Sequence, residues 1–260
     1  MYILIGDIGN TVTKICLVNT NSYTIKKIVY ISSKSISSKN KIKIITKNLI
    51  KNKKINKFAL FSSVVTKYKI IFQKFLKKNY NIHLKEIKDK NIKKIIKINI
   101  KNKNQVGSDR IANAVGVYKR FQNNCIVLDF GTATTFDVVT KDGFYNGGAI
   151  APGVNLSIKS LSSSADQIPR FLIKKQKKVV GKSTIEALRS GFYWGYLGLI
   201  NNIIFKIEKE TKKKYKIVFT GGYADLFKTS IIRPFTIDRN ITIKGIIEIF
   251  KENKKKLYYK

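Results

Sequence analysis

The sequence has few of the residues that build disulfide frameworks, metal sites or membrane spans. Its 260 residues include two cysteines and one histidine, and no uncharged apolar run reaches the roughly 18 residues that would indicate a transmembrane helix. Cys16 and Cys125 form no Cys-x-x-Cys pair and each lies in an apolar run, which predicts buried, reduced thiols in a cytoplasmic protein. His83 has no second ligand at metal-binding spacing, so we assign it no role. We expect no membrane association.

Acidic residues and arginine are also scarce, although the chain is strongly basic. There are 15 Asp and Glu residues against 52 Lys and Arg, a formal net charge of +37. Only six of the basic residues are Arg, and Lys is scattered among Ile, Asn, Tyr and Phe, which share AT-rich codons. Because Arg is the better side chain for phosphates and base edges, we expect no specific nucleic-acid partner. Non-specific polyanion binding at low salt is expected.

Two stretches of the chain repeat one pattern. Asp7-Ile8-Gly9-Asn10-Thr11 and the seven residues 129–135, DFGTATT, each follow a short apolar run and precede a β-branched segment. The pattern predicts a buried strand, a Gly-containing turn with hydroxyls, and a second strand. Backbone N–H groups and Thr hydroxyls in such turns can hold phosphate oxygens, and the carboxylates of Asp7 and Asp129 can hold a hard cation. Two ordinary hairpins are the alternative, which the repetition disfavours.

The remaining sequence alternates strand and helix patterns, which predicts an α/β fold. One copy of the repeated motif lies near the start of each predicted domain, 1–113 and 114–260. Strands are predicted at 2–6, 12–18, 23–31, 58–65 and 215–219, and helices at 41–54 and 67–78. Residues 32–40 are predicted as a loop, and 80–104 as a strand with loops.

Two further helices carry polar residues at their starts. Ser108 is a predicted N-cap that places Asp109 in the first turn, where the macrodipole favours an ionised carboxylate. The alternative is that Asp109 only stabilises the helix. The segment from Ser183 to Glu186 has the S-x-x-E pattern of a capping box and opens a long helix to about residue 210. Its three glycines, at 191, 195 and 198, predict close packing against another helix or a partner subunit.

Six stretches, taken in order, give the chain a resemblance to the type III pantothenate kinase family. They are DIGNT (7–11), VGSDR (106–110), DFGTATT (129–135), GGAIAPGV (147–154), the helix start at 183–186 and TGG (220–222). The resemblance implies two ribonuclease-H-like domains of the actin-like ATPase superfamily, with mixed five-stranded sheets and the active site in the cleft between them. It implies a cytoplasmic homodimer that phosphorylates pantothenate with ATP to 4′-phosphopantothenate, the first step of coenzyme A biosynthesis.

The resemblance also implies roles for individual residues. The ATP contacts are expected to be Asp7, Ile8, Gly9, Asn10, Thr11, Val12, Thr13, Lys14 and Thr132. The pantothenate contacts are expected to be Gly107, Ser108, Asp109, Arg110 and Thr184, with Asp109 as the proton acceptor. Asp129 resembles the ligand of a monovalent cation, K⁺ or NH₄⁺, and Mg²⁺ is expected to accompany ATP.

The sequence departs from the family pattern in two stretches. Where the family has Tyr-x-Asn-Pro, with a substrate-contacting Tyr, this chain has Ile100 and Lys103 in place of the Tyr and the Pro. Where the family has Ser-Ser-Val-Val-Pro, this chain ends the stretch in Thr66. The lost polar contact predicts a raised KM for pantothenate with the chemistry retained. Two alternatives remain open: a non-catalytic relative that acts as a transcription accessory or binding protein, and a kinase of the same fold for another small hydroxylated substrate.

Overall fold

The protein is described here from a computed structural model, which describes residues 1–89, 95–228, 231 and 233–258. The chain forms two compact units. The first unit contains Met1–Arg120, Gly143–Tyr145 and Asn240–Lys260, and the second contains Phe121–Asp142 and Asn146–Arg239. The predicted division at residue 113 remains a prediction. No helix in the described part of the chain is long and apolar enough to span a bilayer.

The first unit is built on a mixed five-stranded sheet. Its strand order is β3-β2-β1-β4-β5, in which β1 runs antiparallel to β2 and parallel to β4. The strands are β1 (Tyr2–Ile8), β2 (Val12–Asn19), β3 (Ile25–Ser32), β4 (Phe58–Ser63) and β5 (His83–Glu86). A further two-residue strand, β6 (Lys97–Ile98), pairs in parallel with Phe144 and Tyr145.

Helices cover both faces of this sheet, which is why β1 and β4 are apolar along most of their length. They are α1 (Lys39–Ile50), α2 (Thr66–Tyr80), α3 (Ser108–Phe121) and α7 (Ile241–Tyr258). Leu4 and Ile8 of β1 lie in one core cluster with residues of α1 and α2. Helix α7 packs against β1 and β4.

The second unit contains a mixed sheet of five strands in the order β11-β10-β7-β8-β9, to which β6 adds a sixth at the start of β9. The strands are β7 (Cys125–Phe130), β8 (Ala133–Val139), β9 (Phe144–Pro152), β10 (Lys216–Gly221) and β11 (Phe235–Ile237). The helices are α4 (Val154–Ser164), α5 (Thr184–Thr211) and α6 (Ala224–Phe227). Residues of β7, β8 and β10 share one core cluster with the buried side of α5.

Most sequence-based assignments are confirmed, and the errors lie at element ends. The predicted loop 32–40 contains a 3₁₀ helix, Ser33–Ser37, and the helix predicted from 41 begins at Lys39. The strand predicted to 65 ends at Ser63, because α2 begins at Thr66. Within 80–104 the structure has β5 and β6, and residues 90–94 lie outside the described residues. Cys16 and Cys125 are buried free thiols, as predicted.

Candidate active site

The first repeated motif forms a tight turn between β1 and β2. The N–H of Gly9 donates to the carbonyl of Val12 at 3.2 Å, which closes the turn. The Ser33 hydroxyl donates to the Gly9 carbonyl at 2.6 Å, and the Ser33 N–H donates to the Thr11 carbonyl at 2.9 Å. Asn10, Thr11 and Val12 are exposed at the tip. Ser33 therefore fixes the conformation of the turn through two hydrogen bonds. The sequence had predicted Ser33 only as part of a loop.

Two consecutive serines at the end of β4 connect this turn to the segment that carries Asp109. Asp7 and Ser62 are direct partners in the parallel pair of β1 and β4, and the Ser62 hydroxyl donates to the Asp7 carboxylate. The next residue, Ser63, is bonded through its backbone to Ser108: its N–H donates to the Ser108 hydroxyl at 2.8 Å. The first motif and the 107–110 segment are thus anchored to two adjacent residues of β4.

Ser108 is not the N-cap that the sequence predicted. Helix α3 begins at Ser108 itself, and Gly107 provides the carbonyl that accepts the N–H of Ile111 at 3.1 Å. The Ser108 hydroxyl is buried against β4, where it also lies 2.9 Å from the Ser63 carbonyl. The Ser108 hydroxyl does not cap α3 because the end of β4 offers it two partners, the Ser63 N–H as a donor and the Ser63 carbonyl as an acceptor.

Asp109 lies in the first turn of α3, as predicted. One carboxylate oxygen accepts the backbone N–H of Arg110 at 2.8 Å. A Cβ on Gly107 would meet this same oxygen at 2.4 Å, so a side chain at 107 would displace the carboxylate. Burial raises the pKa of Asp109, and the N–H and guanidinium of Arg110, with the Lys88 ammonium, partly offset the rise. The site thus holds a carboxyl group whose proton affinity is higher than usual.

Arg110 is oriented by an aromatic ring. Its guanidinium carbon lies 5.9 Å from the ring centre of Tyr145, which is buried at the start of β9. A cation over an aromatic face is attracted by the ring quadrupole. Neither residue type nor spacing in the sequence predicts this contact, because the two residues lie 35 positions apart.

Helix α3 is fixed by a close crossing with α7. A Cβ on Gly245 would lie 1.8 Å from the Ala112 carbonyl oxygen, and a Cβ on Gly116 would lie 2.5 Å from the Ile241 carbonyl oxygen. At the same crossing the Thr242 hydroxyl donates to the buried Asn113 side chain at 2.7 Å. The backbones therefore touch, and the helix that carries Asp109 in its first turn has no room to shift toward α7.

In the second unit, the second motif forms the turn between β7 and β8. The Gly131 N–H donates to the Ala133 carbonyl at 3.1 Å, and the Gly153 N–H donates to the Thr132 carbonyl at 3.1 Å. Gly131 and Thr132 are exposed. A Cβ on Gly153 would meet the Thr132 oxygen at 2.3 Å, so only glycine allows this approach.

The Thr-Gly-Gly stretch at the end of β10 lies beside this turn. Gly221 has a φ of +87°, and a Cβ there would meet the Phe130 nitrogen at 2.5 Å. The Gly222 N–H donates to the Phe130 carbonyl at 3.0 Å. The structure therefore brings Asp129, Thr132 and 220–222 together at one end of the sheet, where β7 and β10 finish.

Asp129 has oxygen-bearing neighbours in the strand register. It pairs with Thr220 of β10 on one side and Thr135 of β8 on the other, and it is partly buried. The Thr220 hydroxyl is buried and has no hydrogen-bond partner among the described residues. No three His, Cys, Asp or Glu side chains gather into a metal cluster in the described part of the chain.

Thr184 lies elsewhere in the second unit, at the first position of α5. The Ser183 hydroxyl accepts the Glu186 N–H at 3.3 Å, which confirms the capping-box cap, and Glu186 accepts the Lys182 N–H at 2.8 Å. Thr184 lines an open cavity of about 1040 Å³ together with Pro152, Ser157 and the α5 glycines at 191 and 195.

Both departures from the family pattern fall in described residues. Ile100 is partly buried just after β6. Thr66 is the first residue of α2, a position that proline also suits, so the exchange of Pro for Thr alters only the helix start.

Comparison with known proteins gives the class first. A Campylobacter jejuni structure, assigned to the Baf family of transcriptional activators, has a TM-score of 0.63 at 21% identity and covers 97% of this chain and 100% of its own. The activator of 2-hydroxyisocaproyl-CoA dehydratase from Clostridium difficile, with bound ADPNP, has a TM-score of 0.56 at 11% identity over 99% and 97%. The chain therefore has the two-sheet, actin-like fold of these proteins.

Sequence comparison then gives the family. The family model described as type III pantothenate kinase matches residues 3–206. A type III pantothenate kinase of Pelagibacter ubique is 50% identical over 245 residues, which are 94% of this chain and 97% of that protein. The chain belongs to the type III pantothenate kinase family.

Proposed function

We propose that this kinase transfers the γ-phosphoryl group of ATP to the primary hydroxyl of pantothenate, with Asp109 as the proton acceptor. The observation that carries the assignment is the placement of Asp109. Its carboxylate lies in the first turn of α3, beside Arg110, and its helix is anchored through Ser63 next to the serine that holds Asp7. A primary alcohol needs a carboxylate within hydrogen-bond reach to take its proton.

The other residues of the proposed site position substrate and phosphate groups. The stretch from Asp7 to Lys14, exposed at its tip of Asn10, Thr11 and Val12, offers N–H groups and hydroxyls to phosphate oxygens, as does Thr132 in the second motif. Gly107, Ser108 and Arg110 form the proposed pantothenate segment, and the Arg110 guanidinium suits a carboxylate or a phosphoryl oxygen. Phosphoryl transfer depends mainly on such positioning and on charge neutralisation.

Mg²⁺ accompanies ATP in this proposal. The Asp7 carboxylate, which the Ser62 hydroxyl orients, is the donor in the first unit that suits a hard cation through water or directly. When bound, Mg²⁺ neutralises phosphate charge. Among the described residues no three His, Cys, Asp or Glu side chains form a cluster, which agrees with a metal held chiefly by phosphates and water.

The raised pKa of Asp109 predicts the pH dependence of turnover. The base works only when ionised, so kcat/KM for pantothenate should fall as pH drops through the Asp109 pKa, at a higher pH than an ordinary aspartate would give. Lys88 lowers this pKa, so Lys88→Gln should move the acid limb to higher pH. Lys74→Gln, at an exposed position of α2, is the control. Coincident limbs for wild type and Lys88→Gln would contradict the coupling of Lys88 to the titrating base.

We propose that Asp129 binds a monovalent cation, K⁺ or NH₄⁺. The partly buried carboxylate and the unpartnered Thr220 hydroxyl beside it are oxygen donors of the kind that such ions take. When bound, the cation supplies positive charge near the phosphate turn.

The cation and the substrate can be tested together. ADP release should require pantothenate, and replacing K⁺ by Na⁺ at fixed Mg²⁺ should reduce it at least about tenfold, because a site suited to K⁺ would hold the smaller Na⁺ poorly. In Asp129→Asn the K⁺ and Na⁺ rates should become equal, and K⁺ should no longer raise the melting temperature. A K⁺ response that survives this variant would exclude Asp129. Turnover absent under every cation would favour the accessory-protein alternative, and turnover with a different alcohol would favour another substrate.

We also propose a homodimer formed through α5. A Cβ built on any of Gly191, Gly195 and Gly198 meets nothing within 4 Å, so the glycines are not explained by packing within the chain. The segment 172–180 lies against α5, because the Leu172 carbonyl accepts from Arg189 and the Val179 carbonyl accepts from Ser190. In this segment the side chains of Leu172, Val179 and Val180 are 73%, 65% and 82% exposed. A second copy of the helix would bury this apolar surface and would cover the cavity that Thr184 lines.

The dimer proposal predicts that Gly195→Leu yields a folded monomer. The chain has open space at this position and helix propensity favours Leu over Gly, so helix content should be retained while self-association is lost. Sedimentation velocity measures the mass, and Lys74→Leu adds the same apolar side chain on exposed α2 as a control. An unchanged dimer in Gly195→Leu would exclude this face. We infer a cytoplasmic enzyme, since two buried free thiols suit a reducing compartment.

A further inference from the structure

Two buried hydroxyl groups lie beneath the turn between β1 and β2. Ser33 follows the last residue of β3, and Thr13 is the second residue of β2; both are completely buried. Strand β3 brings Ser33 to this place, because Ser32 pairs with Val12 in the register of β2 and β3. The two hydroxyl oxygens are 2.9 Å apart, and the Ser33 hydroxyl donates to the Gly9 carbonyl at 2.6 Å. Both side chains are therefore closed off from a ligand at the exposed tip of the turn.

The hydrogen bonds among these three groups have a fixed direction. A hydroxyl carries one proton, and a carbonyl only accepts. Because the Ser33 proton goes to the Gly9 carbonyl, the bond between the two hydroxyls uses the proton of Thr13. Both protons are then engaged inside the protein, and the Thr13 oxygen has only acceptor capacity left. An acceptor repels a phosphate oxygen, so the Thr13 hydroxyl is unsuited to hold ATP.

The bond to the Gly9 carbonyl also sets the direction of a neighbouring N–H group. In a trans peptide the C=O of one residue and the N–H of the next point in opposite directions. Ser33 holds the Gly9 carbonyl on the buried side, so the Asn10 N–H points to the exposed side, at the tip of the turn. Rotation of this peptide would present a carbonyl oxygen to a phosphate in place of an N–H donor.

We propose that Ser33 is a positioning residue for ATP: it directs the Asn10 N–H toward a phosphate oxygen of the nucleotide, and Thr13 acts only by donating to Ser33. The inference rests on the proposed role of the 7–14 stretch in binding ATP phosphates. Ser33 touches no substrate in this account and acts through the 9–10 peptide group. Without the bond from Ser33, that peptide must be ordered when ATP binds, which costs conformational entropy.

Ser33→Ala removes the donor to the Gly9 carbonyl and leaves the backbone N–H of residue 33 in place. The Kd and the KM for ATP should rise about tenfold, because about one peptide group must be ordered on binding. Once ATP is bound, the phosphates are held as in the wild type. The kcat at saturating ATP and the KM for pantothenate should therefore stay within about threefold.

Thr20→Val is the matched control for a lost buried hydroxyl. Thr20 lies just beyond the other end of β2, where its buried hydroxyl donates to the Met1 carbonyl at 3.0 Å. This variant should lower the melting temperature to a similar extent as Ser33→Ala and leave the Kd for ATP unchanged. A wild-type ATP affinity in Ser33→Ala, or an affinity that falls by the same factor in both variants, would overturn the proposal.

Thr13→Val tests the second half of the proposal and stays informative even where Ser33→Ala does not fold. Valine keeps the branched shape of threonine without its hydroxyl. The Ser33 proton remains on the Gly9 carbonyl, so the Kd for ATP should rise less than about threefold, and Thr13→Val should add nothing to the loss in Ser33→Ala. A loss of about tenfold in Thr13→Val alone, or losses that multiply in the double variant, would show a direct phosphate contact and overturn the proposal.

The role of Ser33 and the proposed function fail in different measurements. The Kd for ATP is measured by calorimetry in the absence of pantothenate, so it does not depend on the second substrate. Absent pantothenate-dependent ADP release in the wild type would reject the proposed function. An unchanged Kd for ATP in Ser33→Ala, in a wild type that does turn over pantothenate, would reject only the role of Ser33.

Discussion

Asp109→Asn should lower kcat by a factor of about 10² to 10⁴, the range that a positioned general base contributes. The amide has nearly the shape of the carboxylate and can still accept the Arg110 N–H, which lies 2.8 Å from the native oxygen. It cannot take a proton from an alcohol. Because the loss is confined to the chemical step, the Kd for ATP should remain near the wild-type value, as measured by calorimetry.

The pH profile and a control make this result specific. The surviving turnover of Asp109→Asn should no longer show the acid limb, since the titrating base is gone. Asp142→Asn, at an exposed position of the second unit, should leave kcat unchanged. If Asp109→Asn turns over at the wild-type rate, the base is another group and the segment at 107–110 only binds substrate.

Gly245→Ala should destabilise the protein by about 2–3 kcal/mol, the upper part of the range for overpacked positions. Alanine normally stabilises a helix by about 1 kcal/mol relative to glycine, so the sign is opposite to the propensity effect. The added methyl carbon would lie 1.8 Å from the Ala112 carbonyl oxygen, which is backbone and cannot turn away. Urea unfolding of the purified variant gives the value directly.

Gly245→Ala should also lower activity, because it displaces the helix that carries Asp109. Helices α3 and α7 must separate to admit the methyl group, and α3 carries Asp109 at its first turn. We therefore expect kcat/KM for pantothenate to fall in the folded fraction as well. Glu252→Ala, which removes only a surface ion pair with Lys119 at 3.0 Å, should change stability by less than about 1 kcal/mol. A Gly245→Ala protein as stable as wild type would mean that the two helices are not in backbone contact.

The repeated motif made much of the fold predictable from sequence. A buried strand, a glycine turn and a β-branched strand are local features, and both copies form the predicted hairpins, β1–β2 and β7–β8. The capping box at Ser183 was also predictable, since the residues that form its hydrogen bonds lie within four positions of one another in the sequence. Asp109 was found in the first helical turn for the same reason.

Contacts between segments that are distant in the sequence could not be predicted. Ser62 and Asp7 are 55 positions apart, and Gly245 faces Ala112 across 133 positions. Ser108 was predicted as a cap because serine at a helix start usually is one, but β4 offered its hydroxyl better partners.

The crossing of α3 and α7 also constrains how the chain can be synthesised. Residues from 240 onward belong to the first unit, although the ribosome makes the second unit before them. A nascent chain that has just finished α3 therefore lacks the surface against which that helix packs. The first unit cannot close as an independent N-terminal domain. Translation of the second unit must be complete before the helix that bears Asp109 acquires its final packing.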